Sequence, residues 1–261
     1  MAEVVVTRTA DEASALAADH VARAIAAHPQ LVLGVATGST PERFYRHLAH
    51  RVVENGIDTS GVRAFALDEY VGLPAAHPES YAAVIERTVT TPLGLDPAHV
   101  HVPDGGAADP FAAAEDYDRA IALTGGVDIQ ILGIGRNGHI GFNEPGSSLG
   151  SRTRVKTLAA STREANARFF ADDAEVPVHC ITQGIGTIRE ARHLILLAFG
   201  PDKSAALAGA VEGPVSAILP GSAIQLHPHV TVLADNDAAR DLTLADAYRE
   251  AWERKPAAQG F

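Results

Sequence analysis

The chain has 261 residues, of which 46% are hydrophobic and 20% charged, and its 32 acidic residues outnumber 21 Lys and Arg, giving a formal net charge of -11. This composition is typical of a packed globular protein, and the negative charge disfavours nucleic acid as a partner. No run approaches the roughly 20 apolar residues of a membrane span, and the single cysteine, Cys180, excludes an intramolecular disulfide, so we expect a cytoplasmic protein with no membrane partner.

Short runs rich in Val, Ile and Leu alternate with Ala-rich amphipathic stretches. This pattern is typical of buried parallel strands connected by helices, so we expect one α/β domain over residues 1–261, with a mostly parallel sheet flanked by helices on both faces in a modified Rossmann-like arrangement. The predicted strands are residues 31–36, 62–67, 128–134, 193–199 and 230–234. The predicted helices are residues 11–28, 41–54, 80–90, 110–123, 162–170, 202–211 and 242–254, and residues 255–261 are predicted to be a frayed tail.

Polar side chains follow the first predicted strand. Ligands of parallel sheets bind beyond the carboxyl ends of the strands, so such segments are candidates for a site. Thr40 is predicted to cap a helix that begins at Pro41, where a missing N–H has no cost. The hydroxyl and amide groups here suit a phosphate monoester, although an ordinary capped helix accounts for them equally well. The candidate phosphate residues are Thr37, Gly38, Ser39 and Thr40.

Two carboxylates, Asp68 and Glu69, directly follow the predicted strand 62–67, and Tyr70 is predicted to begin an irregular stretch. A carboxylate at this edge can remove a proton from a carbon next to a carbonyl or imine, provided that its surroundings desolvate it. The alternative is that Asp68 or Glu69 caps the following turn.

The segment after the third predicted strand contains Asn137, His139 and Glu144. Residues 133–138 satisfy the pattern G-x-G-x-x-G, but Gly141 and Pro145 interrupt the stretch after it, so no helix opens there and a dinucleotide site is rejected. Histidine takes and gives protons near neutral pH, and a nearby carboxylate can orient it. The segment therefore predicts an acid–base relay in a turn rather than a structural histidine.

Five segments carry a resemblance to the glucosamine-6-phosphate deaminase (glucosamine/galactosamine-6-phosphate isomerase) family, and the likeness covers nearly the whole chain. They are LDEYVGLP at residues 67–74, HPESY at 77–81, GIGRNGHIGFNEPGSSLGSRTRVKTL at 133–158, ANARFF at 165–170 and LHP at 226–228. The third segment is long and specific. The resemblance implies a metal-free enzyme without a cofactor that converts glucosamine 6-phosphate and water to fructose 6-phosphate and ammonia in amino-sugar catabolism.

The resemblance also assigns roles to the candidate residues. It implies that His139 takes the proton of the anomeric hydroxyl and opens the pyranose ring, assisted by Asn137 and Glu144. It implies that Asp68 then moves the proton of C2 to C1. Some members of the family have an aspartate at the position of Asn137. Because an amide can orient His139 but cannot carry charge, we expect the relay to depend more on Glu144.

The family resemblance implies two anion sites. In the first, Arg168 and Lys203 join residues 37–40 around the substrate phosphate. In the second, known from hexameric members, N-acetylglucosamine 6-phosphate binds as an activator at a subunit interface, so we expect the chain to form homo-oligomers. The tyrosine that completes the second site has no clear counterpart, because Tyr248 is one position out of register. The matching residues of the second site are Ser147, Ser148, Arg154 and Lys156.

Two other functions remain open. A 6-phosphogluconolactonase-type hydrolase looks similar in fold and in its Gly-His turn, but its histidine activates water and no carbon base is needed. A non-catalytic sugar-phosphate-sensing domain would keep the anion segment without the acid–base groups. The joint presence of Asp68, His139 and Glu144 favours the deaminase over both.

We predict no metal site. His99 and His101 alternate along the chain, as do His227 and His229, but neither pair has a third ligand nearby, so we interpret both pairs as structural or surface residues. Cys180 has no neighbouring base in the sequence and is expected to be buried.

Overall fold

The structure is a computed structural model that describes residues 3–167, 170 and 176–256. In chain order the strands are β1 (Glu3–Thr7), β2 (Val32–Val35), β3 (Arg63–Ala66), β4 (Asp68–Tyr70), β5 (Val100–His101), β6 (Ile129–Gly133), β7 (Arg154–Thr157), β8 (His179–Thr182), β9 (His193–Ala198) and β10 (Val230–Asp235). Within the described residues, seven of them form a parallel sheet in the order β1-β10-β9-β6-β2-β3-β5, and three form an antiparallel sheet in the order β4-β8-β7.

Helices pack on both faces of the larger sheet, and the expected single-domain α/β fold is confirmed. They are α1 (Ala10–Ala27), α2 (Ser39–Glu54), α3 (Tyr81–Ile85), α4 (Thr91–Leu93), α5 (Pro110–Leu123), α6 (Ala160–Ala167), α7 (Ile185–Arg189), α8 (Ser204–Val211) and α9 (Ala245–Glu253). A π-helical turn, Glu86–Thr90, joins α3 to α4.

The core consists of two apolar layers separated by the parallel sheet. Side chains alternate between the faces of a strand, so Leu194 and Leu196 of β9 enter one layer while Ile195 and Leu197 enter the other. Helices α5, α7 and α8 complete the first layer, and α1, α2, α3 and α4 complete the second. Because both faces are covered, the central strands are continuous apolar runs, which is why the sequence pattern identified them.

Two local predictions are wrong. Helix α2 begins at Ser39, with Gly38 at its N-cap position, instead of beginning at Pro41 with Thr40 as the cap. Gly38 has a φ of 106°, which turns the chain into the helix two residues earlier, and Pro41 then occupies the first turn, where an N–H has no intrahelical acceptor. The stretch beginning at Tyr70 is not irregular throughout, because residues 68–70 form β4, paired with β8.

His193, at the start of β9, packs among other histidines at the edge of the sheet where the strands begin. Its ring stacks on that of His229 with centroids 3.6 Å apart and meets the edge of the His20 ring at 5.2 Å. His227 binds the Ala191 carbonyl through Nε2 at 2.6 Å, as expected for a structural residue. Burial, followed by the charges of His229 and the neighbouring cations, lowers the pKa of His193 to about 3.

We expect His193 to make the fold sensitive to acid. The pKa of histidine is about 6.5 in an unfolded chain, so between pH 6.5 and the folded-state value the unfolded chain binds the proton more readily. The stability contribution of neutral His193 is therefore present above pH 6.5 and is lost as the pH falls. Between pH 7 and pH 5 the loss amounts to about 2 kcal/mol. Urea unfolding of the wild type and His193→Gln at both pH values measures it, and equal pH dependence in the two proteins would contradict the prediction.

The predicted tail begins at a residue that makes contacts. Nζ of Lys255 forms an ion pair with Glu3 and lies 5.3 Å from the centroid of the Trp252 ring. Residues 257–261, also part of the predicted tail, lie outside the described residues. Among the helices that the structure describes, none has the length and apolar character needed to cross a membrane.

Candidate active site

Four neighbouring strands of the parallel sheet carry the predicted site segments at their carboxyl ends. In the order β9-β6-β2-β3, the strands are followed by Lys203, residues 134–145, residues 37–40 and Asp68. Within the sheet, the chain passes from β2 toward β3 and from β6 toward β9, so the connections diverge and open a crevice between β2 and β6. Segments that the sequence singled out separately are thus brought to one edge of the sheet.

The turn after β6 holds the ring of His139 against the backbone. A Cβ atom on Gly135 would lie 2.2 Å from Cε1 of His139, so only glycine permits this approach. The Gly135 amide donates to the His139 carbonyl at 2.9 Å, and Gly138 turns the chain with a φ of 82°. The glycines of the rejected dinucleotide pattern therefore serve to position an imidazole.

His139, Asn137 and Glu144 form a hydrogen-bonded chain. Nδ1 of His139 is 2.7 Å from Oδ1 of Asn137, and Nδ2 of Asn137 donates to Oε2 of Glu144 at 2.8 Å. Because an amide oxygen only accepts, the neutral imidazole carries its proton on Nδ1 and keeps a lone pair on Nε2. The amide is the middle member of the chain, since Nδ1 of His139 lies 3.7 Å from Oε2 of Glu144.

Glu144 is held in its charged form. Burial alone would raise its pKa, but contacts with His139, Thr162 and Asn137 outweigh burial and lower the pKa of Glu144 to about 2. The hydroxyl of Thr162, in α6, donates to Oε1 of Glu144. Thr162 was not predicted as a site residue, because it follows Glu144 by 18 positions and lies in a different element.

The two adjacent carboxylates after β3 have different surroundings. Glu69 accepts three backbone N–H groups, those of Tyr70 and Tyr81 on Oε1 at 2.8 and 2.9 Å and that of Ala82 on Oε2 at 2.8 Å. Glu69 therefore binds two amides at the start of α3, whose N-cap residue is Ser80, and α3 is not the directly following turn that the alternative considered. Asp68, in contrast, meets the Phe142 amide and has no helix amide among its described contacts.

Asp68 lies against the turn that contains His139. Asp68 is 5% exposed. Gly141, which has a φ of 52°, lies so close that a Cβ atom added to it would be 3.4 Å from Oδ2 of Asp68. Its strand neighbour Thr182 accepts the Phe142 amide on Oγ1 at 3.2 Å. Burial, followed by the charge of Glu69 and opposed by the Phe142 amide, raises the pKa of Asp68 to about 8. Such a carboxylate is a much stronger base than one in water.

This pKa predicts how the rate depends on pH. If Asp68 is the general base that the family resemblance implies, kcat/KM should rise tenfold per pH unit and level off near its pKa, about 8, because a base acts in its ionised form. Ionisable groups of a substrate also titrate, but Glu69→Gln distinguishes their contribution to the pH dependence from that of Asp68. Removing the Glu69 charge lowers the pKa of Asp68 and should shift the rise to lower pH without affecting the substrate. A profile unchanged by Glu69→Gln would contradict the assignment.

Residues 37–40 form the N-terminal end of α2 and its approach. The segment is anchored by Tyr45, whose hydroxyl accepts the Ala36 amide at 2.9 Å, and Thr37 hydrogen-bonds the Tyr81 hydroxyl. Gly38 and Ser39 are exposed, and amide groups at the start of a helix lack intrahelical acceptors. The segment can therefore present hydroxyl and N–H donors to an anion.

Of the two cations predicted to join this segment, one is described. Lys203 ends the 3₁₀ turn Pro201–Lys203 that precedes α8 and is half-buried. Arg168 lies outside the described residues. A surface ion pair between Arg136 and Asp202, with N and O 2.5 Å apart, connects the turn after β6 with the turn that contains Lys203.

The four residues of the predicted second anion site extend from the stretch just after Glu144 to the smaller sheet. Ser147 donates its amide to the Glu144 carbonyl at 3.0 Å, whereas its buried hydroxyl has no hydrogen-bond partner among the described residues. Ser148 is exposed. Arg154 and Lys156, two residues apart on β7, lie on the same face of the strand. Burial lowers the pKa of Arg154.

Other candidate residues lie outside this site or have structural surroundings. Cys180 is fully buried in β8, and burial raises the pKa of its thiol, so it is not poised as a nucleophile. The ring of His101 stacks on that of Phe65 with centroids 4.6 Å apart. In the part of the chain that the structure describes, no group of three His, Cys, Asp or Glu side chains is arranged to hold a metal ion.

Comparison with known proteins gives consistent similarities. Residues 6–233 match the family model described as glucosamine-6-phosphate isomerases/6-phosphogluconolactonase. The glucosamine-6-phosphate deaminase of Bifidobacterium longum (strain DJO10A) is 56% identical over the full length of both chains. A solved structure of a monomeric glucosamine-6-phosphate deaminase has a TM-score of 0.89 at 40% identity, covering 92% of this chain and 99% of that one. The 6-phosphogluconolactonase from Trypanosoma cruzi shares the fold alone, with a TM-score of 0.73 at 22% identity over 93% of this chain and 97% of that one.

Proposed function

The chain belongs to the family of glucosamine-6-phosphate isomerases and 6-phosphogluconolactonases, and we propose that it converts glucosamine 6-phosphate and water to fructose 6-phosphate and ammonia. The observation that carries the proposal is the presence of two different proton-transfer groups at one edge of the sheet. One is the buried carboxylate of Asp68, and the other is the imidazole of His139, oriented by Asn137 and Glu144. A lactone hydrolase needs only one such group.

Ring opening is the task of His139. Its Nε2 lone pair accepts the proton of the anomeric hydroxyl, and the bond between C1 and the ring oxygen breaks to give the open-chain aldehyde. The ring oxygen takes up a proton, which the imidazolium can supply. Positive charge on the imidazole is stabilised through Asn137 by Glu144, whose low pKa keeps it ionised.

Isomerisation is the task of Asp68. Its carboxylate removes the proton of C2, next to the aldehyde, while the C1 oxygen takes up a proton from the substrate's ammonium group, which gives an enolamine with a double bond between C1 and C2. Return of the proton to C1 turns C1 into an alcohol carbon and C2 into an imine. Addition of water to the imine carbon, followed by loss of ammonia, leaves the ketone of fructose 6-phosphate. Two bases serve these steps because the acidic hydrogens lie on different edges of the sugar.

The substrate phosphate is assigned to residues 37–40, together with Arg168 and Lys203. Exposed amide and hydroxyl donors at the start of α2 support this assignment, and so does the position of Lys203 after β9, on the other side of β6. Binding the far end of the substrate would fix C1 and C2 relative to the two bases.

The proposed reaction is tested by measuring ammonia and fructose 6-phosphate from glucosamine 6-phosphate, with and without EDTA and with 6-phosphogluconolactone as a parallel substrate. Equal amounts of both products, unchanged by EDTA, are expected. Consumption of the lactone without ammonia release would instead support the hydrolase, and consumption of neither would support the sensing domain.

We extend the proposal to regulation. N-acetylglucosamine 6-phosphate is proposed to bind as an activator at Ser147, Ser148, Arg154 and Lys156, at an interface between copies of the chain. The buried, unpartnered hydroxyl of Ser147 supports a ligand here, and its amide contact with Glu144 offers a path to the catalytic turn. We expect the activator to lower KM in the wild type but not in Lys156→Met, and we expect the protein to sediment as an oligomer.

A cytoplasmic location remains part of the proposal and is tested by cell fractionation.

A further inference from the structure

The carboxylate of Asp235, at the end of β10, binds the turn that contains Lys203. Oδ1 and Oδ2 each accept the Gly200 amide at 3.0 Å, and Oδ1 also accepts the Ala238 amide at 2.8 Å. Asp235 is 8% exposed, so these hydrogen bonds are largely shielded from water. Charge-assisted hydrogen bonds of this kind are about twice as strong as neutral ones.

The direction of the turn is set by the backbone at its start, although other contacts also hold it, such as the ion pair between Asp202 and Arg136 and the hydroxyl of Ser204, which donates to the Pro201 carbonyl at 2.9 Å. Gly200 has a φ of 83°, a conformation that favours glycine, and the 3₁₀ turn Pro201–Lys203 follows at once. The amide of Lys203 donates to the Gly200 carbonyl at 3.1 Å. The conformation of Gly200 therefore sets the direction of the turn, and its N–H group donates to Asp235.

We propose that Asp235 is a positioning residue for the substrate phosphate, because it fixes the Gly200 amide and thereby the backbone from which Lys203 reaches the anion. The inference rests on the phosphate assignment of the proposed function. The backbone route can be distinguished from a direct effect of charge. A carboxylate near an anion site repels the anion, so a direct effect predicts tighter phosphate binding when Asp235 is removed, whereas loss of an anchor predicts weaker binding.

Three substitutions test the anchor. Asp235→Ala removes all three hydrogen bonds and should raise both KM for glucosamine 6-phosphate and Kd for inorganic phosphate about tenfold, with kcat changed less than about threefold. Asp235→Asn keeps an oxygen that can accept from Gly200 and Ala238, and should stay within about threefold of the wild type. Asp235→Ser, whose hydroxyl is too short to replace the carboxylate, should behave like Asp235→Ala and serves if the alanine variant does not fold.

Asp128→Ala is the matched control. Asp128 also binds a backbone amide, that of Val32 at 2.8 Å, but it lies at the other ends of the strands, just before β6 begins. Its removal should lower the melting temperature without changing KM or the phosphate Kd. An increase in Kd equal to that of Asp235→Ala would show a general loss of stability and overturn the proposal.

A double variant tests whether Asp235 acts through Lys203. Once Lys203→Met has removed the ammonium group, adding Asp235→Ala should raise the phosphate Kd less than about twofold further. The proposal would be overturned if the Kd increases of the two single variants multiplied in the double variant, if Asp235→Ala bound phosphate more tightly, or if the wild type did not bind phosphate. Because phosphate titration requires no turnover, an inactive wild type that binds phosphate would contradict the deaminase reaction and leave the positioning test intact.

Discussion

Asp68→Asn should lower kcat for ammonia release by about 10²–10⁴-fold while KM for glucosamine 6-phosphate stays within about threefold. The substitution preserves the size of the side chain and one acceptor oxygen, but the amide cannot remove a proton from carbon. Because the phosphate is assigned to other loops, binding should be retained. The measurement is steady-state ammonia release, together with loss of the C2 hydrogen in deuterated water.

The adjacent carboxylate provides the control for Asp68. Glu69→Gln changes a charge at the next position but leaves the proposed base in place, so it should lose much less activity, with lower stability because its amide cannot accept all three N–H groups of Tyr70, Tyr81 and Ala82. A similar loss of kcat in both variants, or more than a tenth of wild-type kcat in Asp68→Asn, would remove Asp68 as the carbon base.

His139→Gln should slow the reaction of the cyclic substrate by about 10²–10³-fold. Glutamine can still hydrogen-bond Asn137, but it cannot accept a proton near neutral pH, so ring opening becomes limiting. An analogue without the 4- and 5-hydroxyl groups can close neither a furanose nor a pyranose ring and bypasses that step. Its rate should fall less than about tenfold.

Comparison of the two substrates separates the two bases. Asp68→Asn should lose activity on the cyclic substrate and on the analogue alike, because both require transfer of the C2 proton. His139→Gln should lose it mainly on the cyclic substrate. Equal losses on both substrates in His139→Gln would mean that His139 does not act chiefly in ring opening.

Much of the fold could be predicted from the sequence because the central strands are buried on both faces. Each of the five predicted runs agrees with a strand of the parallel sheet to within one residue at each end, and the long helices were recognised from their periodicity. Strands β1 and β5, at the two edges of the sheet, and all three strands of the smaller sheet, β4, β7 and β8, were not predicted. Edge strands and strands of a small sheet bury less apolar surface, so their pattern is weaker.

The sequence also identified the chemical groups of the candidate site, since polar residues directly after buried strands lie at the ligand-binding edge of a parallel sheet. Residue chemistry alone could not assign different roles to Asp68 and Glu69, which are adjacent and chemically alike, and only the family resemblance singled out Asp68. The tertiary structure separates them, because the three amides that Glu69 binds come partly from α3 whereas Asp68 is buried beside the turn of His139.

The sequence by itself determined the five central strands of the parallel sheet and the candidate proton-transfer groups, because runs of apolar residues and the chemistry of single side chains can be read locally. Only the tertiary structure decided their partners. Thr162 donates to Glu144, Thr182 lies opposite Asp68, and Asp235 holds Gly200, each pair joining separate elements. No local pattern specifies such pairs, since they depend on the order of strands in the sheet and on the closure of loops between them.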